Sequence, residues 1–285
     1  MRRFRHTEEK LFRVLMFLST NIIVISLGII IFSILYKGLP SLTWEMVSQT
    51  PKGGFYFGKE GGILNAIIGS LYLAVASTVL ALLIGLPVAL MMNVHLIKYT
   101  KLVNGIRFLL DLLWGVPSIV YGAFGFTVMI YFGLKTSLLA GIITVTLFII
   151  PIMVRAMDEV LKTIPRGLME TAMSLGSTSS EISYRVYLKQ VIPGLVTAVL
   201  LSFGRAIGDA ASVLFTTGYT DHIPTALGQP TATLPLAIFF QLSSPIPEVQ
   251  NRAYASALVL TIIILATSIL SRYFSKKYQK NRIKQ

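Results

Sequence analysis

An arginine and a carboxylate four residues apart, Arg205 and Asp209, stand in the middle of an otherwise apolar run from Val191 to Gly218. A charge at bilayer depth costs at least ~2.5–3.5 kcal/mol, so it calls for a partner, a water-filled cavity or a function. On a helix the i, i+4 spacing makes the two side chains neighbours. Ser212 and Thr216 continue that face at about 100° per residue. The residues therefore predict a narrow polar stripe, Arg205–Asp209–Ser212–Thr216, on an apolar cylinder. The guanidinium is planar, always charged, and carries a fork of donors that matches oxyanions such as phosphate. Two uses follow from the residues alone: contact with an anion on a pathway, or a buried ion pair that locks helix packing.

Other reactive chemistry is sparse. The chain has no Cys, which excludes a disulfide framework, Cys-ligated zinc and a thiol nucleophile. His6, His95 and His222 lie far apart and lack metal-ligand spacing, so no metal site is expected. Gly53–Glu60 reads G-G-F-Y-F-G-K-E, close to the phosphate-binding pattern G-x-x-x-x-G-K-[ST]. Glu60 stands where a Ser or Thr should hold magnesium, and no strand precedes the segment, so the required context is missing. It reads as an external loop, and the chain shows no ATPase motif of its own.

The elements that must position these residues follow from composition. Hydrophobic residues make up 54% of the 285 and charged residues only 13%, against roughly 25% charged in an ordinary soluble domain. Mean hydropathy is +0.73. This is the composition of an integral membrane protein. A span needs roughly 20 mainly apolar residues, and six segments qualify, at about 11–35, 63–92, 106–132, 138–154, 191–218 and 254–273. The first is too long for the apolar region of a cleaved signal peptide, and no small-residue cleavage site follows it. The expected fold is all-α: six transmembrane helices in one domain over residues 1–285.

Charge sets the orientation. Of the 25 Lys and Arg, nineteen fall at the two ends and in the second–third and fourth–fifth connections, five fall on the other side, and Arg205 lies within a span. By the positive-inside rule both termini are cytoplasmic. The net charge of +13 is thus a matter of topology, and no nucleic-acid partner is required.

The connections differ in kind. Tyr36–Gly62 and Tyr219–Arg252 are external. The second contains an apolar piece, Leu234–Leu242, too short to span and bounded by Pro235 and Pro245, which suits a short external helix or a re-entrant piece. Arg155–Gln190 is a long cytoplasmic connection of mixed charge. Pro87 and Pro117 lie inside spans beside Gly85 and Gly115, where proline removes a backbone bond and kinks the helix. Arg107 and Asp111, also i, i+4, lie nearer the cytoplasmic end of the third span and read as a structural or gating pair.

The cytoplasmic connection carries the most specific pattern. It runs Glu170-Thr-Ala172-Met-Ser-Leu-Gly176, then Val186-Tyr-Leu188-Lys189, then Ile192-Pro193-Gly194. A glycine between helical runs can take the left-handed conformation that a sharp turn needs, and Glu170 offers a carboxylate to a partner's arginine. The segment resembles the E-A-A-x-x-x-G loop of ABC-importer permeases. Glu170, Ala172, Gly176 and Leu188 match; Thr171, Val186 and Lys189 replace the Ala, Ile and Pro of that pattern. Gly61–Ser70, Asp111 with Gly115–Val120, and Arg205–Ala211 with Leu214–Gly218 extend the similarity to PstA-type permeases of ABC phosphate importers, from about Gly61 to the end of the sixth span. That family usually has Glu where Asp209 stands and Pro where Ala211 stands.

The resemblance implies a multi-pass protein of the bacterial cytoplasmic membrane that supplies half of a phosphate pathway. Its implied partners are a second, different permease subunit, two copies of an ATP-binding subunit and an external phosphate-binding protein. It also implies that ATP and magnesium bind to the partner ATPase, and that this chain holds no cofactor. Arg205 would pair with the anionic oxygens of phosphate, and Asp209 would either accept its remaining O–H or hold Arg205 in place. A carboxylate would repel sulfate, which has no proton to give. A permease for another oxyanion such as molybdate or sulfate, and an ion-coupled secondary transporter, remain open.

Overall fold

The computed structural model describes residues 2–53 and 60–279. In chain order the elements are α1 (Arg2–Ser41), α2 (Trp44–Ser48), β1 (Pro51–Lys52), β2 (Glu60–Gly61), α3 (Leu64–Leu90), α4 (Thr100–Gly115), α5 (Ser118–Tyr131), α6 (Leu138–Leu161), α7 (Arg166–Ser174), α8 (Ser179–Glu181), α9 (Leu188–Gly208), α10 (Leu234–Gln241) and α11 (Pro247–Gln279). A π-helical turn at Met91–His95 continues α3, and a second at Ile182–Tyr187 joins α8 to α9. The two strands pair antiparallel, Pro51 with Gly61 and Lys52 with Glu60. Positions 54–59 of the phosphate-loop-like segment, with Lys59, and Lys280, Arg282 and Lys284 of the C-terminal tail lie outside the described residues.

Between membrane helices no hydrophobic force acts, so close packing of small residues and interhelical hydrogen bonds must hold them. The core follows that rule. Helix α6 is central and packs against α3, α9, α4 and α5. Its buried face repeats every four residues through Val145, Ile149, Met153 and Met157. Opposite it, α3 presents Ala74, Ser77 and Ala81, all fully buried, and the Ser77 hydroxyl donates to the Ile142 carbonyl at 3.2 Å. Helix α1 packs on α11, where Lys37 donates to the Tyr254 hydroxyl at 3.0 Å; between Leu11 and Leu39 most of its large apolar side chains are exposed.

Among the described residues five helical stretches are long and apolar enough to cross a membrane: Glu8–Ser41, Leu64–His95, Leu138–Leu161, Ser179–Gly208 and Pro247–Phe274. The expected third span, 106–132, is not one kinked helix. It is α4 and α5, bent by 94° between Gly115 and Ser118. Val116 is extended (φ −70°, ψ 127°) because the residue before proline is driven out of the helical region, and Pro117 is itself extended before α5. The Tyr121 hydroxyl then reaches back to the Leu113 carbonyl at 2.9 Å, which the Val116 N–H also bonds at 3.2 Å, so the first turn of α5 is tied to the broken end of α4. Pro87, by contrast, lies within a continuous α3, whose ladder widens into the π turn just after it.

Two further boundaries move. The fourth span runs on from 154 to Leu161, because Met157 and Leu161 keep the apolar repeat going through the charged residues. The fifth ends ten residues before the expected 218, at Gly208. The apolar piece at 234–242 is a short helix, α10, with Leu234, Leu236 and Ala237 fully buried.

Candidate functional site

The end of α9 decides the geometry around Arg205. Asp209 leaves the helix with extended backbone (φ −86°, ψ 124°), and its Oδ2 accepts the Ser212 N–H at 2.8 Å. A short polar side chain that takes up a free N–H is what starts a new turn. The chain turns through 211–217, where Thr217 N–H bonds the Val213 carbonyl at 3.1 Å. The expected helical stripe therefore does not exist. Arg205 is on α9, Asp209 is its cap, and Ser212 and Thr216 lie in a buried turn, each 0% exposed.

The consequence is a separation of roles. Among the described residues Arg205 makes no ion pair, with Asp209 or any other acid. It is exposed, and its guanidinium carbon sits 5.1 Å from the centre of the Phe148 ring. Phe148, on α6, is buried, so a rigid aromatic face supports the cation. Asp209 is nearly buried (9% exposed) and holds the turn that follows. Two glycines let that turn pack: a Cβ on Gly122 of α5 would meet the Ala211 and Ser212 carbonyl oxygens at 2.8 and 2.9 Å, and one on Gly141 of α6 would meet Thr217.

Arg107 and Asp111 do not pair either. Arg107 donates Nε to Oδ2 and Nη2 to Oδ1 of Asp158, both at 2.9 Å. Asp111 instead accepts Arg155 Nε at 2.6 Å. Asp158, on α6, is fully buried and also receives Arg155 Nη1 at 2.8 Å, Asn93 Nδ2 at 2.8 Å and the Lys162 ammonium at 3.1 Å. Sequence reasoning missed Asp158 because the apolar run seemed to stop at Val154. The signal was present: Val154, Asp158 and Leu161 share one helical face, so an extended α6 buries the carboxylate.

The connection around Gly176 is two short helices, α7 and α8, on either side of a tight turn. Helix α7 ends in a Schellman motif: Gly176 is left-handed (φ 81°), its N–H bonds the Met173 carbonyl at 2.9 Å, and the Ser177 N–H bonds the Ala172 carbonyl at 3.1 Å, as such a cap requires. Thr178 and Glu181 then form a reciprocal capping box that starts α8. Glu170 is exposed and Ala172 is packed inward. Leu188 is half-buried, inside the helix that leads into the span and away from the tip. Leu175, 82% exposed beside Gly176, is the tip residue the motif comparison passed over.

The chain matches the family described as binding-protein-dependent transport system inner membrane component over residues 85–284. It is 32% identical to the phosphate transport system permease protein PstA of Haemophilus influenzae over 275 residues, 95% of each chain. It is 32% identical to the protein of the same name from Pasteurella multocida over 279 residues, 97% of each. Among solved structures it shares its fold with the inward-facing MetNI methionine ABC transporter, at a TM-score of 0.63 and 20% identity, covering 75% of this chain and 95% of that one. A multi-pass bundle that breaks its third span and caps its fifth at Asp209 is thus built on an ABC-importer permease frame, and the chain belongs to the PstA family of phosphate transport system permeases.

Proposed function

We propose that this chain is the permease subunit of an ATP-driven importer of inorganic phosphate and forms one side of the phosphate pathway. The observation that carries the reading is Arg205. A guanidinium on a membrane helix, exposed, resting on the Phe148 ring and without an acidic partner among the described residues, has its fork available. Phosphate near neutral pH offers anionic oxygens to that fork. Asp209 is held at the turn beside it as a carboxylate that tolerates a protonated anion better than sulfate.

A second permease subunit would cover the open face and complete the pathway. One of two ATPase subunits would engage the α7–Gly176–α8 tip through Glu170 and Leu175, and both would bind ATP and magnesium themselves. This chain would then hydrolyse nothing and hold no cofactor. An external phosphate-binding protein would deliver the anion on the side of β1, β2 and α10, with both termini cytoplasmic. ATP and the loaded binding protein would each bias the same inward–outward equilibrium. The partition of Lys and Arg between the two sides supports this orientation.

The test is labelled-phosphate uptake by membrane vesicles containing the assembled complex, with the external binding protein bypassed. Arg205→Ala should abolish uptake, and Arg205→Lys should be poor because a point charge lacks the bidentate fork. Wild-type uptake by the Ala variant would remove Arg205 from the pathway. Uptake of sulfate or molybdate in preference to phosphate would assign another oxyanion.

A further inference from the structure

The cluster around Asp158 borders a cavity of about 390 Å³ lined by Asn93, Thr100, Asn104, Arg107, Lys162 and Tyr187 together with apolar residues. The volume suits a small-molecule group. The polar lining is rich in donors and carries two cations. Among the described residues no carboxylate lines it; Asp158 lies behind the wall, already surrounded by Arg107, Arg155, Lys162 and Asn93. Glu159 and Asp111, the other acids of the cluster, are about half exposed and bind Lys162 and Arg155.

Three donors in this wall are free for an occupant. Arg107 uses Nε and Nη2 on Asp158, and its Nη1 makes no hydrogen bond among the described residues. Thr100 and Asn104 are exposed, and their side chains make none either. Thr100 also opens α4, whose N-cap Tyr99 supplies no side-chain acceptor, so the first backbone N–H groups of a 16-residue helix face the same end. A helix N-terminus favours negative charge.

We infer that this cavity is a binding site for a phosphate-type oxyanion, separate from Arg205, that joins α4 to α6. The shared chemistry is a tetrahedral anion held by Arg107 Nη1, Lys162, Thr100, Asn104 and the start of α4. It can come from free inorganic phosphate or from the headgroup of an anionic lipid; the assignment to the cytoplasmic side rests on the orientation proposed above. An occupant touching both helices favours the arrangement in which they are adjacent, and it shifts that equilibrium only by its differential affinity.

The experiment follows hydrogen exchange of the amides of α4 in the full-length chain in lipid nanodiscs. One arm uses phosphatidylcholine alone and adds inorganic phosphate at constant ionic strength, with chloride as the control. The other arm omits phosphate and replaces part of the lipid with phosphatidylglycerol. A ligand at about twice its Kd slows exchange through local opening about threefold. Slowing in the first arm identifies a free oxyanion, and slowing in the second a lipid headgroup. In either case Asn104→Asp should raise the half-saturating amount about tenfold, since it sets a like charge against the ligand. Thr100→Glu should do the same by a second route. Both positions are exposed and leave the Asp158 bonds untouched. Arg205→Ala should retain the protection, so failure of the pathway reading and failure of this one are distinguishable. Absence of slowing in both arms overturns the site. So does slowing that survives Asn104→Asp and Thr100→Glu, or that disappears with Arg205→Ala.

Discussion

Arg107 closes on Asp158 with two parallel hydrogen bonds of 2.9 Å each, so a fully buried carboxylate near the end of α6 ties down α4. Between them the pair bridges 51 residues of sequence. The same carboxylate gathers Arg155 and Lys162 from its own helix and Asn93 from the π turn after α3. Three elements meet at one charge, at the end of the bundle that carries α7 and α8.

Asp158→Asn should therefore be among the most damaging single changes in this region. The amide keeps the shape but leaves three cations facing a neutral group that also presents donors. Removing one partner of a buried ion pair costs about 3–5 kcal/mol. Asp111→Asn should cost about 0–1 kcal/mol, since Asp111 is 49% exposed and Arg155 retains Asp158 and Glu159. Denaturant unfolding of the purified variants in detergent makes the comparison. Equal stability of the two would show that Asp158 does not hold α4.

Asp209 should behave as a cap whose charge is secondary to stability. Asp209→Ala deletes the acceptor for the Ser212 N–H and should cost about 0.5–2 kcal/mol, in the range of lost helix caps. Asp209→Asn keeps an acceptor oxygen and should cost only a fraction of that. The same Asn variant removes the charge that repels sulfate, so sulfate should compete with labelled phosphate in the variant alone, while arsenate competes in both. Equal loss of stability in Ala and Asn would mean that the cap bond contributes nothing. Unchanged sulfate insensitivity in Asn would confine Asp209 to the turn.

The apolar runs and the distribution of Lys and Arg were enough to read a multi-pass helical protein, because bilayer thickness fixes span length. The turn at Gly176 was legible because a glycine between helical runs acts locally; the Thr178–Glu181 capping box that follows it was not singled out. What failed was long-range or depended on a single backbone departure. Arg205 and Asp209 look like an i, i+4 pair until Asp209 itself ends the helix. Arg107 and Asp111 have the right spacing, yet Arg107 pairs with a carboxylate from another helix, Asp158, that has no exposure to water. Pro117 signalled a disturbance, but whether proline kinks or breaks a helix depends on tertiary contacts such as Tyr121 on Leu113. Local spacing cannot reveal those contacts.

At the turn between α7 and α8, Gly176→Ala should act through backbone conformation alone. Gly176 is left-handed and no atom lies near its Cβ position, so the cost is the roughly 1–2 kcal/mol of placing a non-glycine residue there. Leu175→Asp should leave the fold intact, because Leu175 is 82% exposed. The expected outcome for Leu175→Asp is a stable permease that retains less ATPase on affinity purification. Gly176→Ala should lower the unfolding midpoint slightly and loosen the same association. Full recovery of the ATPase with both variants would place the contact elsewhere.

Gly122→Ala tests whether the turn after Asp209 is pinned from outside. The added methyl would stand 2.8 Å from the Ala211 carbonyl oxygen and 2.9 Å from that of Ser212. These are backbone atoms, and they cannot swing aside as a flexible side chain would. The turn is also fixed further on, where Thr216 and Thr217 carbonyls accept the N–H groups of Ser137 and Thr231 at 2.9 and 3.0 Å. Overpacking of this kind costs about 1–3 kcal/mol. Because the displaced turn begins at Asp209 and follows directly from the helix of Arg205, phosphate uptake should fall although neither charged residue has changed. Gly28→Ala is the control: it lies in α1 with nothing within 4 Å of the new methyl, so helix propensity gains about 0.5–1 kcal/mol and uptake should be untouched. If Gly122→Ala unfolds and transports like the wild type, the turn can move freely past α5 and its position does not set the geometry around Arg205.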